Sequence, residues 1–276
     1  MPRRTPLAVV ASLVLVAAPA AHACGSSGYS YAGVTSEARV HGVGATITPL
    51  APPSVQSGHV AGWVGVGGPG LGPHGSSEWI QVGYSGFPGL TVGSLYYEVA
   101  LPGRQPTYHE VLSAVPAGAT HRLAVLEVAH HPNWWRVWVD GRAVGKAVRL
   151  PGSHGTWRGV ATAESWGGGR RVCNKYAYRF RRVTVARNAG GSWHPMNAAY
   201  RMHQGDNHLV GSSSSNFVVR TTTLPASPKT TLSARPVQAP APAPKPADDP
   251  PAPAPDPAPA VDAAPSQAVD PNDPER

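Results

Sequence analysis

The chain has 276 residues, a formal net charge of +8 and only two cysteines. Residues 224–276 hold 16 of the 31 prolines and carry a net charge of −3, while residues 24–223 carry +9 with only eight carboxylates. This composition excludes a wholly disordered chain, a collagen, a disulfide-dense miniprotein and a multispan membrane protein.

Arg3 and Arg4 precede the apolar stretch Leu7–Ala20, and Ala21-His22-Ala23 follows as a small-x-small cleavage site. Residues 1–23 therefore read as a signal peptide, too short for a comfortable membrane span. A secreted, extracellular location follows, with cell-wall association open. Export gives the cysteines meaning: Cys24 and Cys173 are expected to form a disulfide. A lipidated Cys24 is the alternative. No stable membrane insertion is expected.

Residues 24–223 show almost no helical periodicity. Short β-rich runs separated by turn signals predict strands at Tyr29–Val34, His41–Ile47, His59–Gly67, Glu78–Tyr84, Leu95–Leu101 and Tyr108–Ala114. Further strands are expected at Arg122–Ala129, Trp134–Val139, Ala143–Leu150, Gly159–Ser165, Tyr176–Ala186 and Asn216–Thr221. His131-Pro132-Asn133 and Asp140-Gly141 read as turns. So many strands in one 200-residue unit predict an all-β, two-sheet antiparallel sandwich or jelly roll. No internal repeat supports a propeller. Asn188–Ser215, rich in Gly, Ser and Asn, reads as a long loop packing an edge. The Pro/Ala-rich acidic tail, 224–276, lacks aromatics and is expected to be a disordered spacer.

Period-two alternation separates core from non-core side chains. Val64 and Val66 face one way; Trp63, Gly65 and Gly67 face the other. Ile80 and Val82 oppose Trp79, Gln81 and Gly83; Tyr97 and Val99 oppose Tyr96 and Glu98. Trp135, Val137 and Val139 oppose Trp134, Arg136 and Trp138. These patterns predict one sheet presenting Trp63, Trp79, Tyr96, Trp134 and Trp138 away from the core, with Gln81, Glu98 and Arg136 among them. Such a surface suits an extended polymer, peptide or glycan.

Four ordered segments then carry a resemblance: Trp63-Val64-Gly65-Val66-Gly67-Gly68, Ile80-Gln81-Val82-Gly83, Tyr96-Tyr97-Glu98 and Ala163-Glu164-Ser165-Trp166. Together they resemble the eqolisin-type glutamic peptidases, as in a distant bacterial relative, over roughly residues 58–185. The resemblance implies a concanavalin A-like β-sandwich and a catalytic pair at Gln81 and Glu164. It implies an endopeptidase working at acidic pH through an activated water, with no cofactor, metal or covalent intermediate. Glu98 would line the same cleft. Three departures stand out: Gly67 replaces the family's Asp, Ser165 follows the catalytic Glu where the family has Asp, and Val160 and Ala161 occupy a stretch where a second Glu is common.

Two other readings stay open. Glu98 and Glu164 could be the carboxylates of a retaining glycosidase, about 5 Å apart. The chain could instead be an inactive carbohydrate- or cell-surface-binding protein on this scaffold. The twelve histidines show no ligand-spaced cluster, and His130-His131 point apart, so no metal is expected. The basic cluster Arg170, Arg171, Lys175, Arg179, Arg181 and Arg182 reads as solvated strand charges rather than a nucleic-acid site. A monomer acting on polypeptide is the expectation.

Overall fold

The computed structural model describes residues 27–205 and 207–221. The signal segment, Cys24 and the Pro-rich tail lie outside the described residues. Cys173 is not a free thiol; its expected partner, Cys24, is among the residues not described.

Fifteen strands follow one another. They begin with β1 (Tyr29–Arg39), β2 (Gly42–Pro49), β3 (His59–Gly68), β4 (Glu78–Gly86), β5 (Gly93–Ala100) and β6 (Thr107–Val115). The chain continues through β7 (His121–Glu127), β8 (Trp134–Val139), β9 (Arg142–Arg149), β10 (Arg158–Trp166) and β11 (Ala177–Asn188). It closes with β12 (Gly191–Pro195), β13 (Ala199–His203), β14 (Asn207–Ser213) and β15 (Asn216–Thr221). A single short 3-10 turn, Pro73–Gly75, interrupts them among the described residues.

The strands form two antiparallel sheets. The first is seven-stranded, β13-β1-β10-β3-β4-β5-β6. The second is eight-stranded and runs β14-β15-β11-β2-β7-β8-β9, with β12 paired to β11 off that path. Val34, Val64, Ile80, Val82 and Leu95 from the first sheet are buried in one cluster with Val43, Ile47, Leu123, Val125, Trp135 and Phe180 from the second. These are the apolar members of the alternating runs, so the period-two pattern turns one face of each sheet inward. The turn expected at Asp140-Gly141 joins β8 to β9 with φ values of 50° and 80°, the positive pair that a two-residue hairpin turn requires.

Two expectations are corrected. Asn188–Ser215 is not a long loop: it contains β12, β13 and β14, and β13 and β14 form an edge of the first and second sheet respectively. Edge strands have one unpaired side and little core to fill, so Gly, Ser and Asn suffice there and the usual β signature is missing. Trp134, Arg136 and Trp138 do leave the core, as alternation says, but β8 belongs to the second sheet. Alternation distinguishes inward from outward; it carries no information about which of two sheets a strand joins.

Candidate active site

On the outward face of the first sheet, β3, β4, β5 and β10 bring together Trp63, Trp79, Gln81, Tyr96, Glu98 and Glu164. Their positions follow from register. Trp63 pairs with Gly83 and Gly83 with Tyr96; Gly65 pairs with Gln81 and Gln81 with Glu98; Glu164 pairs with Ala61. Trp134, Arg136 and Trp138 take no part, since they sit on the outside of the other sheet.

The two glycines make this face possible. A Cβ on Gly83 would fall 2.5 Å from the Trp63 Cβ, and one on Gly65 would fall 2.8 Å from the Gln81 Cβ. Gly83 and Gly65 therefore leave room only for the Trp63 and Gln81 side chains that pack across them. Gly67, where the resembled family has Asp, holds φ +85°, and a Cβ there would meet the Glu78 carbonyl oxygen at 2.3 Å. The backbone itself demands glycine at that departure.

The functional side chains are held by named partners. Glu164 is only 5% exposed. Its Oε2 accepts the Trp63 Nε1–H at 2.9 Å, and His59 Nε2 lies 3.1 Å from its Oε1. Gln81 Nε2 donates to the Tyr96 hydroxyl at 3.0 Å, and Trp79 Nε1 donates to Glu98 Oε1 at 2.9 Å. The Tyr96 ring stacks on Tyr108 at 4.9 Å, closing the β6 side. The face is tighter than an open groove, because Gln81 and Tyr96 are also buried.

Electrostatics follow from that burial. The Glu98 carboxyl is raised above its ordinary value, first by burial; the Trp79 N–H opposes the shift, Glu164 adds to it and His59 opposes it. Burial, then Glu164 and Glu98, pushes the Tyr96 hydroxyl well up, so it remains protonated. Tyr31, opposite Glu164 on β1, is raised for the same two reasons, burial first and then Glu164. Sequence reading missed His59, Tyr31 and Tyr108. His59 had a signal: it shares the outward parity of β3 with Trp63. Tyr31 and Tyr108 join through strand pairings that no local pattern reveals.

Register also sets separations. Ser85 stands level with Glu164 across β3, and Gln81 lies four residues from Ser85. In a flat sheet this places the two backbones about 10 Å apart across the strands and about 13 Å along them, or roughly 16 Å in all. Two side chains of about 5 Å reach, leaning toward each other, leave a gap of about 6 Å, the span of one bridging water. Glu164 bonds to the Trp63 indole and Gln81 to the Tyr96 hydroxyl, and Trp63 and Tyr96 are the two residues that flank Gly83 across the sheet. Glu98 and Glu164 are a strand farther apart, about 20 Å at the backbone. With the same side-chain reach their carboxyl groups stand about 10 Å apart, wider than the roughly 5 Å that a retaining-glycosidase pair needs.

No family model and no curated protein matches the chain by sequence. Among solved structures, it is similar to scytalido-glutamic peptidase bound to a peptide-based transition-state analogue, with TM-score 0.50 and 13% identity over 70% of this chain and 98% of that one. The likeness shows the fold. SCP-B, a member of the eqolisin family of peptidases in complex with the tripeptide Ala-Ile-His, aligns at TM-score 0.45 and 14% identity, over 70% and 97% of the two chains. The marine PL7 alginate lyase AlyA1 from Zobellia galactanivorans aligns at TM-score 0.38 and 13% identity, over 56% and 64%. These two likenesses are too remote to add to the first.

Proposed function

We propose that the chain is a secreted endopeptidase of the glutamic type, hydrolysing peptide bonds at acidic pH. Glu164 acts as general base on a water held between it and Gln81, then returns the proton to the leaving amine. The Gln81 amide orients that water and offers an N–H to the tetrahedral oxyanion. The Tyr96 hydroxyl, kept protonated by burial and by the nearby carboxylates, accepts from Gln81 and retains a proton of its own to donate. Trp63 and His59 fix both oxygens of the base. Trp79 and Glu98 extend the face along β4 and β5 as the binding floor for an extended polypeptide.

The observation that carries this reading is that the Tyr96 hydroxyl, which accepts from Gln81 Nε2, also stands close enough to the Glu164 carboxylate to be held protonated by burial and by that carboxylate together. The test uses the secreted chain and denatured casein across pH 2–7. Cleavage is expected in the acid range and is expected to vanish in Glu164→Gln and Gln81→Ala, each still folded by far-UV circular dichroism. Cleavage that survives Glu164→Gln refutes the assignment. No cleavage by the parent, together with retention on a glycan column, favours a binding protein instead.

A further inference from the structure

A second cluster lies on the other sheet and shares no residue with the peptidase face. Glu127 ends β7 in the same inward row as Leu123 and Val125, which makes it a fully buried carboxylate in a core position. Charge is costly there unless several groups compensate it. Three groups converge on it. The Asn133 backbone N–H donates to Oε1 at 2.6 Å. His41 Nδ1 stands 2.6 Å from Oε2, and His154 Nδ1 stands 2.9 and 3.0 Å from the two oxygens. The ligand atoms of His41, Glu127 and His154 all lie within 4.8 Å of one another. His41 and Glu127 are 86 positions apart in sequence, and Glu127 and His154 are 27 apart.

The backbone holds this trio in place. The Glu127 N–H donates to the His41 carbonyl at 2.8 Å, and the His41 N–H to the Ala186 carbonyl at 2.8 Å. The His154 N–H donates to Asn133 Oδ1 at 3.0 Å, so the residue that braces Glu127 also anchors the His154 loop. Each donor atom is thus positioned from behind, as in preorganised metal sites. One imidazolium would neutralise one carboxylate. Two rings turning Nδ1 onto the same carboxylate supply a donor set instead.

We propose that His41 Nδ1, His154 Nδ1 and the Glu127 carboxylate form a site for a divalent cation of the zinc class, with a remaining position for water. Two imidazole nitrogens and one carboxylate suit zinc and its borderline neighbours, whereas calcium and magnesium take oxygen sets. Tetrahedral zinc needs ligand atoms about 3.4 Å apart, so on binding the His154 contacts open by about half an ångström and the His41 contact by about 0.8 Å. Both rings have room to swing outward, His154 being 48% and His41 19% exposed. Any proton on either Nδ1 leaves to solvent as the metal–nitrogen bond forms.

The experiment strips the full chain with a chelator, then titrates it with zinc chloride at pH 7 by competition against a chromophoric chelator. One saturable equivalent is expected. His154→Ala, at a half-exposed position and still folded by far-UV circular dichroism, is expected to weaken binding at least about tenfold. His131→Ala, an exposed histidine outside the trio, is expected to leave it unchanged. Zinc should raise the melting temperature of the parent and of His131→Ala, and not of His154→Ala. Absence of a saturable equivalent overturns the proposal. So does parent-like affinity in His154→Ala, which would assign the ion to scattered surface histidines. None of these measurements depends on peptidase activity.

Discussion

Replacing Glu78 by Gln should stabilise the protein at pH 8 and leave it unchanged at pH 4. Glu78 opens β4 with inward parity and is fully buried beneath the Pro73–Gly75 turn. Neither of its carboxylate oxygens has a hydrogen-bond partner. Burial alone pushes its carboxyl up from 4.5 to about 7. An acid whose pKa is higher in the folded state than in the unfolded state disfavours folding most above its folded-state pKa, where both forms are ionised. Below about pH 4.5 both states carry the proton and there is no penalty. As pH rises from about 4.5 to about 7 the penalty grows, and above that it is constant. A 2.5-unit gap corresponds to about 3.4 kcal/mol. Solvent screening near the end of the sandwich reduces this to about 2 kcal/mol. Gln keeps the shape of the protonated acid and cannot ionise. The melting temperatures of parent and variant should therefore coincide at pH 4 and diverge by about 4–8 °C at pH 8 for a domain of this size. Taking the difference cancels every other titrating group. Parallel profiles from pH 4 to 8 would refute the reasoning and mean that Glu78 is solvated or paired in solution.

Two further outcomes bear on the proposed site. Trp63→Phe removes the indole N–H from Glu164 Oε2 while keeping an aromatic ring; a hydrogen bond to a charged group is worth about 1.5–3 kcal/mol, so the melting temperature should fall by about 3–12 °C, and kcat on casein, measured well below it, roughly tenfold or more. Trp79→Phe removes the one hydrogen bond that opposes the rise of the Glu98 carboxyl. Its titration midpoint, followed by carboxyl-carbon NMR, should move upward, and a downward shift would contradict the assigned cause.

The sequence made the inward–outward division legible because burial on one side of a strand leaves a period-two trace. Val64 and Val66, Ile80 and Val82, and Trp135 and Val137 all point into the core as their alternation says. The same trace placed Trp63, Gln81, Tyr96 and Glu98 on one outward face. It failed for Trp134, Arg136 and Trp138, because two stacked sheets have two outward faces and a strand's own residues do not say which sheet it joins. Pairing across sequence decides that, and β8 pairs with β7 and β9. The same limit hid the His41–Glu127–His154 trio. A search for ligand spacing finds motifs within one element, and these residues come from three places in the chain.

The scarce carboxylates show how the fold gives one residue type different chemistry. Glu78 is buried with no partner, so it is held as a neutral acid and acts on stability alone. Glu127 is equally buried, but two imidazoles and a backbone N–H meet it. Such an environment places nitrogen ligands beside the carboxylate. Glu164 is nearly as buried, yet its donors are one indole N–H and one imidazole, and its neighbours across the sheet are Ala61 and Tyr31. Under the proposed function it is the one of the three that takes a proton from a water and gives it back. Degree of burial does not separate these glutamates; the number and kind of donors around them does. A general base therefore cannot be picked from exposure alone; the donors around each glutamate are what make Glu164 the proposed one.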